Sequence, residues 1–234
     1  MNMGTRSQVK ALIRQGQVLV NHIPVKKADL KIDIDSDQVF CKGQLLQYQK
    51  FVYFMLNKPA GVVSATTDRK EDTVLSLLGN DPRKDIFPVG RLDKDTTGLL
   101  LLTNDGALAH RLLTPKRHVE KVYEAGIAHP LSVSDICRLE EGVDIGEDKP
   151  PLPARVLVLD PYKSQLTIHE GKFHQVKRML SAVGNEVMNL KRVAFGSLLL
   201  DPQLKESQYR ELTPEEIALL LEDTDSKREC KNET

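Results

Sequence analysis

Two short, uninterrupted apolar runs constrain the fold of this chain more than any other feature. They are Phe51–Leu56 and Leu99–Leu102. Each has the length of a strand that is buried on both faces. Both are far shorter than the roughly 18 apolar residues that a membrane span needs. The runs therefore predict two buried strands, and they exclude a membrane-spanning helix at either position.

The composition is that of a globular chain of one or two domains. Its 234 residues are 40% hydrophobic and 28% charged, unlike the composition of disordered or fibrous proteins. The first residues contain no apolar segment of the kind found in signal peptides. Cys41, Cys137 and Cys230 form no CxxC pair, so neither a disulfide scaffold nor a zinc site is expected. Cysteines of this kind favour a location in the reducing cytoplasm.

The charge is zero overall but is unevenly distributed. Residues 1–58 carry nine Lys and Arg against four Asp and Glu, whereas residues 206–234 carry four against nine. A basic N-terminal segment on a neutral body is typical of a part that binds a polyanion. Charge alone is weak evidence for a nucleic-acid partner.

The N-terminal segment predicts a small domain of one helix and short strands. Ser7 is placed to cap a helix whose apolar positions are Val9, Leu12 and Ile13, and Gly16 is placed to end it. Strands are expected at Val18–Val20, Ile23–Val25 and Val39–Phe40. The domain boundary is expected near Gln47 to Lys50.

The rest of the chain predicts a mixed sheet with short helices. Further strands are expected at Ile86–Val89, Leu99–Thr103, Val119–Ile127, Ala154–Leu159, Gln165–Glu170 and Glu186–Leu190. Helices are expected at Thr73–Leu78, Ala107–Leu113, Val133–Glu141, Phe173–Val183 and Pro214–Leu221. In the last of these, Thr213 and Glu216 form a capping box. The polar residues 223–234 are expected to be disordered.

Several cofactor and nucleophile motifs are missing from the sequence. There is no GxGxxG, GxxxxGK[ST], HExxH or GxSxG. The six histidines lack the spacing of metal ligands, and each is better explained as a surface or hydrogen-bonded residue. We therefore expect neither a metal nor a cofactor.

The densest group of polar residues lies in residues 88–106, in a loop between two predicted strands. The loop holds Arg91, Asp93 and Asp95, and a glycine lies at each end of it. Rigid strands on both sides would position these side chains, which suits a functional site. The alternative is a tight connection in which Arg91 and Asp95 form a surface ion pair.

Two further segments are candidates for binding. In residues 170–180 a strand ends at a glycine and a helix begins, and Lys172, Lys177 and Arg178 lie nearby, so this is either a solvated basic face or an anion site. Tyr123 lies in a predicted strand that follows the basic residues Arg111, Lys116, Arg117 and His118. A tyrosine there either packs in the core or stacks on an RNA base.

Three motifs in this order resemble those of the RsuA/RluB/E/F branch of the pseudouridine synthases. They are Gly90-Arg-Leu-Asp-x-x-Thr-x-Gly-Leu-Leu-Leu-Leu-Thr-Asn-Asp-Gly106, Lys121-x-Tyr-x-Ala125 and Glu170-Gly-Lys-x-His-Gln-Val-Lys-Arg-Met179. The resemblance runs from about Phe51 to Leu221. It implies an α+β fold with a mixed, mainly antiparallel sheet, flanking helices and an RNA cleft, and a catalytic domain over residues 51–222.

The N-terminal residues Ser7–Asn21 resemble part of an S4 RNA-binding module, which implies an S4-like lobe over residues 1–48. Two departures from that module stand out. The chain begins where the second helix of the module is expected, so we expect the lobe to lack its first helix. His22 follows Asn21 where the module usually has glycine, which predicts a strained or rearranged turn.

The resemblance also implies roles for individual residues. Asp93 corresponds to the catalytic aspartate, and Tyr123 to the tyrosine that stacks on the target base. Lys177 corresponds to the basic residue that pairs with the aspartate. Arg91 corresponds to an arginine that fills the space of the flipped uridine or holds a phosphate. The expected RNA contacts are Arg6, Lys10, Arg14, Lys26, Lys27, Arg117, Lys172 and Arg178.

The implied reaction converts a uridine in RNA to pseudouridine without metal or cofactor. Asp93 attacks the sugar carbon as a nucleophile or removes the 2′ proton as a base, and the sequence leaves both open. The implied partner is ribosomal RNA of the small subunit, free or in a partly assembled subunit, bound by a monomer. The alternatives are a non-catalytic RNA-binding or ribosome-assembly factor on the same fold, and a nucleoside or sugar hydrolase.

Overall fold

The computed structural model describes residues 3–34, 36–46, 50–79 and 85–225. By its internal contacts the chain divides into two compact units, residues 1–50 and residues 51–234. No helix among the described residues combines the length and the apolar character needed to cross a membrane.

The first unit contains one helix and a small antiparallel sheet. Its elements are α1 (Arg6–Arg14), β1 (Val18–Val20), β2 (Ile23–Pro24), β3 (Val39–Cys41) and β4 (Gln44–Leu46), and the strand order is β2-β1-β3-β4. The predicted helix cap at Ser7 is wrong, because Thr5 caps the helix. Thr5 Oγ1 accepts a hydrogen bond from the Gln8 main chain, and Gln8 Oε1 accepts one from the Thr5 main chain. Ser7 has Lys10 at the equivalent position, and a lysine has no acceptor to complete such a pair.

The turn between β1 and β2 has the strained backbone that the sequence predicts. Asn21 and His22 have φ angles of 51° and 65°. Two successive residues with positive φ form the tight hairpin turn in which glycine is favoured at the second position. The turn is held in place because Asn21 Nδ2 donates to Asp37 and Asn21 Oδ1 accepts from the Gln38 main chain. The His22 ring also lies 4.7 Å from the ring of Phe40.

The second unit is built around one mixed, mainly antiparallel sheet. Among the described residues its strand order is β13-β5-β7-β11-β8-β10-β9, with β6 paired to β7 and β12 paired to β11. The strands are β5 (Tyr53–Lys58), β6 (Phe87–Pro88), β7 (Thr97–Thr103), β8 (Lys121–Ile127), β9 (Arg155–Asp160), β10 (Lys163–Ile168), β11 (Val187–Phe195), β12 (Leu198–Leu199) and β13 (Tyr209–Glu211). The described pairs are antiparallel except β7 with β11, which is parallel.

Within the described residues, four helices cover the sheet. They are α2 (Gly106–Leu113), α3 (Val133–Glu141), α4 (Gln175–Ala182) and α5 (Pro214–Asp225). Alternate residues of β5 and β7 enter two separate cores: Leu56 and Leu100 pack with residues of α3 and α4, whereas Met55 and Leu101 pack with α2 and α5. The uninterrupted apolar runs of β5 and β7 arise because both faces of these strands are covered.

Three expectations about local structure are wrong. The helix predicted at Thr73–Leu78 is a 3-10 turn at Ser76–Leu78, because Thr73 pairs with Val63 instead. Residues 223–225 belong to α5 rather than to a disordered tail, since Asp223 accepts hydrogen bonds from Ser197 and Thr224 contacts Arg111. Residues 226–234 lie outside the described residues. The sequence also missed β4, β12 and β13, which are short.

Candidate active site

A buried lysine holds the loop that carries Asp93. Lys58, the last residue of β5, is fully buried. Its Nζ lies 3.0 Å from the carbonyl oxygens of Pro59 and Asp93, 3.3 Å from that of Lys94 and 2.9 Å from that of Thr96. Burial lowers the pKa of Lys58 to about 8, while the charges of Asp95 and Asp93 act in the opposite direction. One ammonium group thus fixes the main chain of the whole loop.

A serine fixes the residue that precedes Asp93. Ser64 Oγ donates to the carbonyl of Leu92 at 2.8 Å and accepts from the Leu92 main-chain N–H at 3.0 Å. Both groups are buried, so leaving them unpaired would cost free energy. The Leu92 side chain is also buried. Asp93 therefore extends from a loop with a defined main-chain position.

The close contact of β7 with β11 explains the glycine of the first motif. Gly98 and Arg192 are partners in the parallel pairing of these strands. A Cβ atom at Gly98 would overlap the main-chain atoms of Arg192, and the φ of Gly98 is +99°. Only glycine fits such an approach without a backbone shift. The pairing places β11 directly beside the strand that follows the Asp93 loop.

Helix α4 brings a cation to Asp93. Lys177 Nζ lies 3.1 Å from Asp93 Oδ2 and 2.6 Å from Asp95 Oδ1. Burial opposes the charge of Lys177, but the hydrogen bonds to Asp95 and Asp93 outweigh it, so the pKa of Lys177 is raised. The hydrogen bond from Lys177 lowers the pKa of Asp95. Asp95 thus pairs with Lys177 rather than with Arg91, and Lys177 carries its charge over the physiological pH range.

Asp93 and Tyr123 face a common pocket. The polar lining of the pocket includes Arg91, Asp93, Tyr123, Lys172 and His174, and its apolar lining includes Ile168 and Leu190. The Asp93 side chain is 27% exposed, and Tyr123 is 8% exposed. Tyr123 lies at the centre of β8, where it pairs with β10 on one side and β11 on the other. A half-buried carboxylate is therefore presented to a cleft that has an aromatic wall.

The remaining predicted residues are placed in different surroundings. Arg91 is exposed at the pocket. Lys172 and Arg178 both bind Glu147, at 3.3 Å and 2.7 Å. Arg178 also donates to the carbonyls of Phe173 and Ile145. The charge of Glu147 offsets these two cations, and their role as RNA contacts stays a prediction.

The basic residues expected to contact RNA elsewhere are exposed. Arg6, Lys10 and Arg14 recur every four residues on α1 and so share a face of that helix. Lys26 and Lys27 follow β2, and Arg117 lies in the 3-10 turn Pro115–Arg117. Each is accessible to a polyanion.

Sequence reasoning missed three residues of the site. Lys58 had a usable signal, because a lysine at the end of an uninterrupted apolar strand is buried only with partners. Ser64 had no signal of its own. His174 is predicted to be a surface or hydrogen-bonded residue with no part in the site, yet its Nε2 lies 3.5 Å from Asp93 Oδ1. In the described part of the chain no three His, Cys, Asp or Glu side chains come together to hold a metal ion.

Comparisons with known proteins agree with this geometry. Residues 52–182 match the family described as RNA pseudouridylate synthase, and residues 1–39 match the S4 domain. The chain is 48% identical to an uncharacterised RNA pseudouridine synthase of Bacillus subtilis, with 94% of each chain covered. It is 41% identical to ribosomal small subunit pseudouridine synthase A of Haemophilus influenzae, covering 94% of this chain and 96% of that one.

Two further similarities concern the substrate class and the fold. Ribosomal large subunit pseudouridine synthase B of Bacillus subtilis is 41% identical, covering 93% of this chain and 91% of that one. A crystal structure of a pseudouridylate synthase is similar with a TM-score of 0.70 and 41% identity, over 92% of this chain and 94% of that chain.

Proposed function

Because this chain belongs to the RNA pseudouridylate synthase family, we propose that it converts a uridine of small-subunit (16S) ribosomal RNA to pseudouridine, with Asp93 as the catalytic carboxylate. The single observation that carries the assignment of Asp93 is that it lines the same pocket as Tyr123 while its Oδ2 lies 3.1 Å from Lys177 Nζ. The isomerisation breaks the bond between N1 of uracil and C1′ of the sugar and joins C5 to C1′. The proton lost from C5 is balanced by one gained at N1, so the reaction needs no redox partner.

The target nucleotide has to leave its stack before Asp93 can reach the sugar. Tyr123 then provides a ring against which the flipped uracil stacks, and Arg91 either fills the vacated space or holds a phosphate. Asp93 acts on the sugar carbon as a nucleophile or on the 2′ proton as a base. Lys177 favours the ionised form of Asp93 that either role requires.

The pocket favours an isomerase over a hydrolase. Glycoside hydrolases generally use two carboxylates, one of which serves the leaving group. Asp93 contributes a carboxylate to the pocket lining, whereas Asp95 is 74% exposed and is bound to Lys177. A non-catalytic RNA-binding factor is also disfavoured, because binding a polyanion has no need of a carboxylate that faces it.

The N-terminal residues 1–48 serve as an S4-like RNA-binding lobe and residues 51–222 as the catalytic domain. Arg6, Lys10, Arg14, Lys26 and Lys27 contact phosphates from the lobe, and Arg117, Lys172 and Arg178 do so from the catalytic domain. The enzyme acts as a monomer in the cytoplasm, on free ribosomal RNA or a partly assembled small subunit. The small subunit is preferred because several relatives at 39–41% identity carry that name.

Mapping of pseudouridines in ribosomal RNA tests this proposal. The ribosomal RNA of four strains would be compared. They are the parent strain, a strain that lacks the gene, and that deletion strain expressing either the wild-type protein or Asp93→Asn. We expect one position in 16S RNA to lose its pseudouridine without the gene and to regain it only with the wild type. If a position in large-subunit RNA loses its pseudouridine instead, the substrate is large-subunit RNA. Identical maps in all four strains would contradict catalysis.

A further inference from the structure

Phe173 stacks on the pocket residue His174 and has no role in the site described so far. The rings of Phe173 and His174 are stacked, with centroids 3.8 Å apart and planes inclined by 19°. His174 lines the pocket beside Asp93. Phe173 is 68% exposed, so much of its ring surface is in contact with solvent. A single exposed phenylalanine is common on protein surfaces. Phe173 differs from such residues in its backbone conformation and in its position beside the pocket.

The main chain holds this pair in an unusual conformation. Phe173 and His174 are the two central residues of a tight turn that is closed by the Gln175 main-chain N–H, which donates to the Lys172 carbonyl at 3.2 Å. The Gln175 side chain, which is buried, also accepts from the Lys172 N–H at 3.0 Å. His174 has φ 49° and ψ 33°, in the left-handed region that few residues other than glycine adopt. This backbone conformation brings the side chains of Phe173 and His174 together, whereas an extended chain would point them in opposite directions.

The turn is also fixed from outside. Arg178 Nη1 donates to the Phe173 carbonyl at 3.2 Å, and the same guanidinium binds Glu147. A strained conformation that the surroundings hold this firmly points to a function that needs it. The result is a rigid aromatic surface, so little conformational entropy is lost when a flat ligand stacks on it.

We propose that the exposed face of Phe173 is a stacking subsite for the RNA base that flanks the flipped uridine. The proposal rests on the proposed function, because it takes the uridine in the pocket as the reference point. The ring of Phe173 lies 3.8 Å from the ring of His174, which lines the pocket, and neighbouring bases in RNA are separated by a similar distance. Arg91, exposed at the pocket, suits the phosphate between the two nucleotides. Base stacking tolerates any base, so the subsite adds affinity rather than sequence preference.

The test compares RNA affinity of full-length variants for unmodified 16S RNA transcribed in vitro, over a series of salt concentrations. Phe173→Ala should weaken binding on the order of tenfold, whereas Phe173→Trp should stay within about threefold, because tryptophan also stacks. The slope of affinity against salt should be unchanged in both, since a lost stack releases no counterions. The single-turnover rate at saturating enzyme should remain within about fivefold of the wild type, because the reacting groups are intact.

Tyr162→Ala is the matched control. Tyr162 is also an exposed aromatic residue, at 60%, but it lies in the turn between β9 and β10, at the far end of β10 from the pocket residue Ile168. Its removal should leave the affinity unchanged. Melting temperatures would show that all variants are folded.

Two results would overturn the subsite. One is a Phe173→Ala protein that binds as tightly as the wild type, and the other is a Phe173→Trp protein that loses as much affinity as Phe173→Ala. Failure of the proposed function would look different. A wild-type protein that binds the transcript but modifies no uridine in it would contradict the proposed function. The RNA affinities of Phe173→Ala and Phe173→Trp relative to the wild type would still show whether Phe173 stacks on a base.

Discussion

Asp93 and Lys177 come from distant parts of the second unit, and Asp93 Oδ2 lies 3.1 Å from Lys177 Nζ. Asp93 belongs to the loop that precedes β7, and Lys177 lies in the helix that precedes β11. The parallel pairing of β7 with β11, which Gly98 permits, brings the two segments together. The ion pair of Asp93 and Lys177 thus depends on a strand pairing more than on either local motif.

Asp93→Asn should abolish pseudouridine formation while RNA affinity stays within about tenfold, because removing one anion from a polyanion site does not weaken phosphate attraction. Pseudouridine in a transcript would be measured together with binding. Asp160→Asn, the same change at the end of β9 far from the pocket, should retain full activity. Appreciable turnover by pure Asp93→Asn would show that this carboxylate is not essential.

Lys177→Met should cause a large loss of activity and should move the acid limb of the pH–rate profile to higher pH. The raised pKa of Lys177 keeps it charged through neutral pH, where it favours the ionised carboxylate of Asp93. The Lys177 ammonium lies 3.1 Å from Asp93 Oδ2, and its removal leaves that half-buried carboxylate without this cation. Lys163→Met, which removes only an exposed ion pair with Glu124, is the control. An unchanged rate and profile in Lys177→Met would mean that the pair has no catalytic role.

Tyr123→Phe should keep most of the RNA affinity, because stacking needs only the ring. Tyr123→Ala should weaken binding by about 1–3 kcal/mol, the usual value of one base–aromatic stack. Since Tyr123 is buried, Tyr123→Ala also leaves a cavity, and thermal unfolding has to be measured alongside binding. If Tyr123→Phe and Tyr123→Ala both fold and both keep wild-type affinity and turnover, Tyr123 only packs in the core and does not stack on the uracil.

Lys58→Met should reduce the free energy of unfolding by roughly 3 kcal/mol or more, because several carbonyls lose their donor in a buried place. It should also reduce turnover, since those carbonyls belong to the loop that carries Asp93. Chemical denaturation and single-turnover kinetics would measure the two effects. Lys163→Met should change stability by less than about 1 kcal/mol, as is usual for an exposed ion pair. If Lys58→Met were equally mild, the loop would not depend on this ammonium group.

Deletion of residues 1–48 should weaken RNA affinity and flatten its dependence on salt, because the basic residues of the lobe release counterions when they bind phosphate. The catalytic domain should remain folded with a similar melting temperature, since the two units are separate by their internal contacts. Filter binding over a range of salt concentrations and calorimetry would test this. A deletion that unfolds the remaining chain would place the boundary elsewhere, and an unchanged salt slope would remove the lobe from the RNA interface.

The sequence alone was sufficient for the features that depend on local chemistry. The apolar runs indicated β5 and β7, because a strand that is covered on both faces has no polar alternation. The capping box at Thr213 and Glu216 is present, with Glu216 accepting from the Thr213 main chain and Thr213 Oγ1 accepting from that of Glu216. The resemblance of the three motifs to a known family indicated Asp93, Tyr123 and Lys177 as a group.

Contacts between distant segments decided the rest. Lys58 and Ser64 form hydrogen bonds with main-chain carbonyl and N–H groups. Nearly every residue has these groups, so no sequence motif identifies the partners of Lys58 and Ser64. Arg178 reads as a free cation, yet Glu147 reaches it from another loop. The sequence of residues 223–225 is typical of a polar tail, yet these residues belong to the last helix. Ser197 binds Asp223, and Arg111 binds Thr224. In each case a polar group is stabilised by a partner far away in the chain, and only the folded structure identifies that partner.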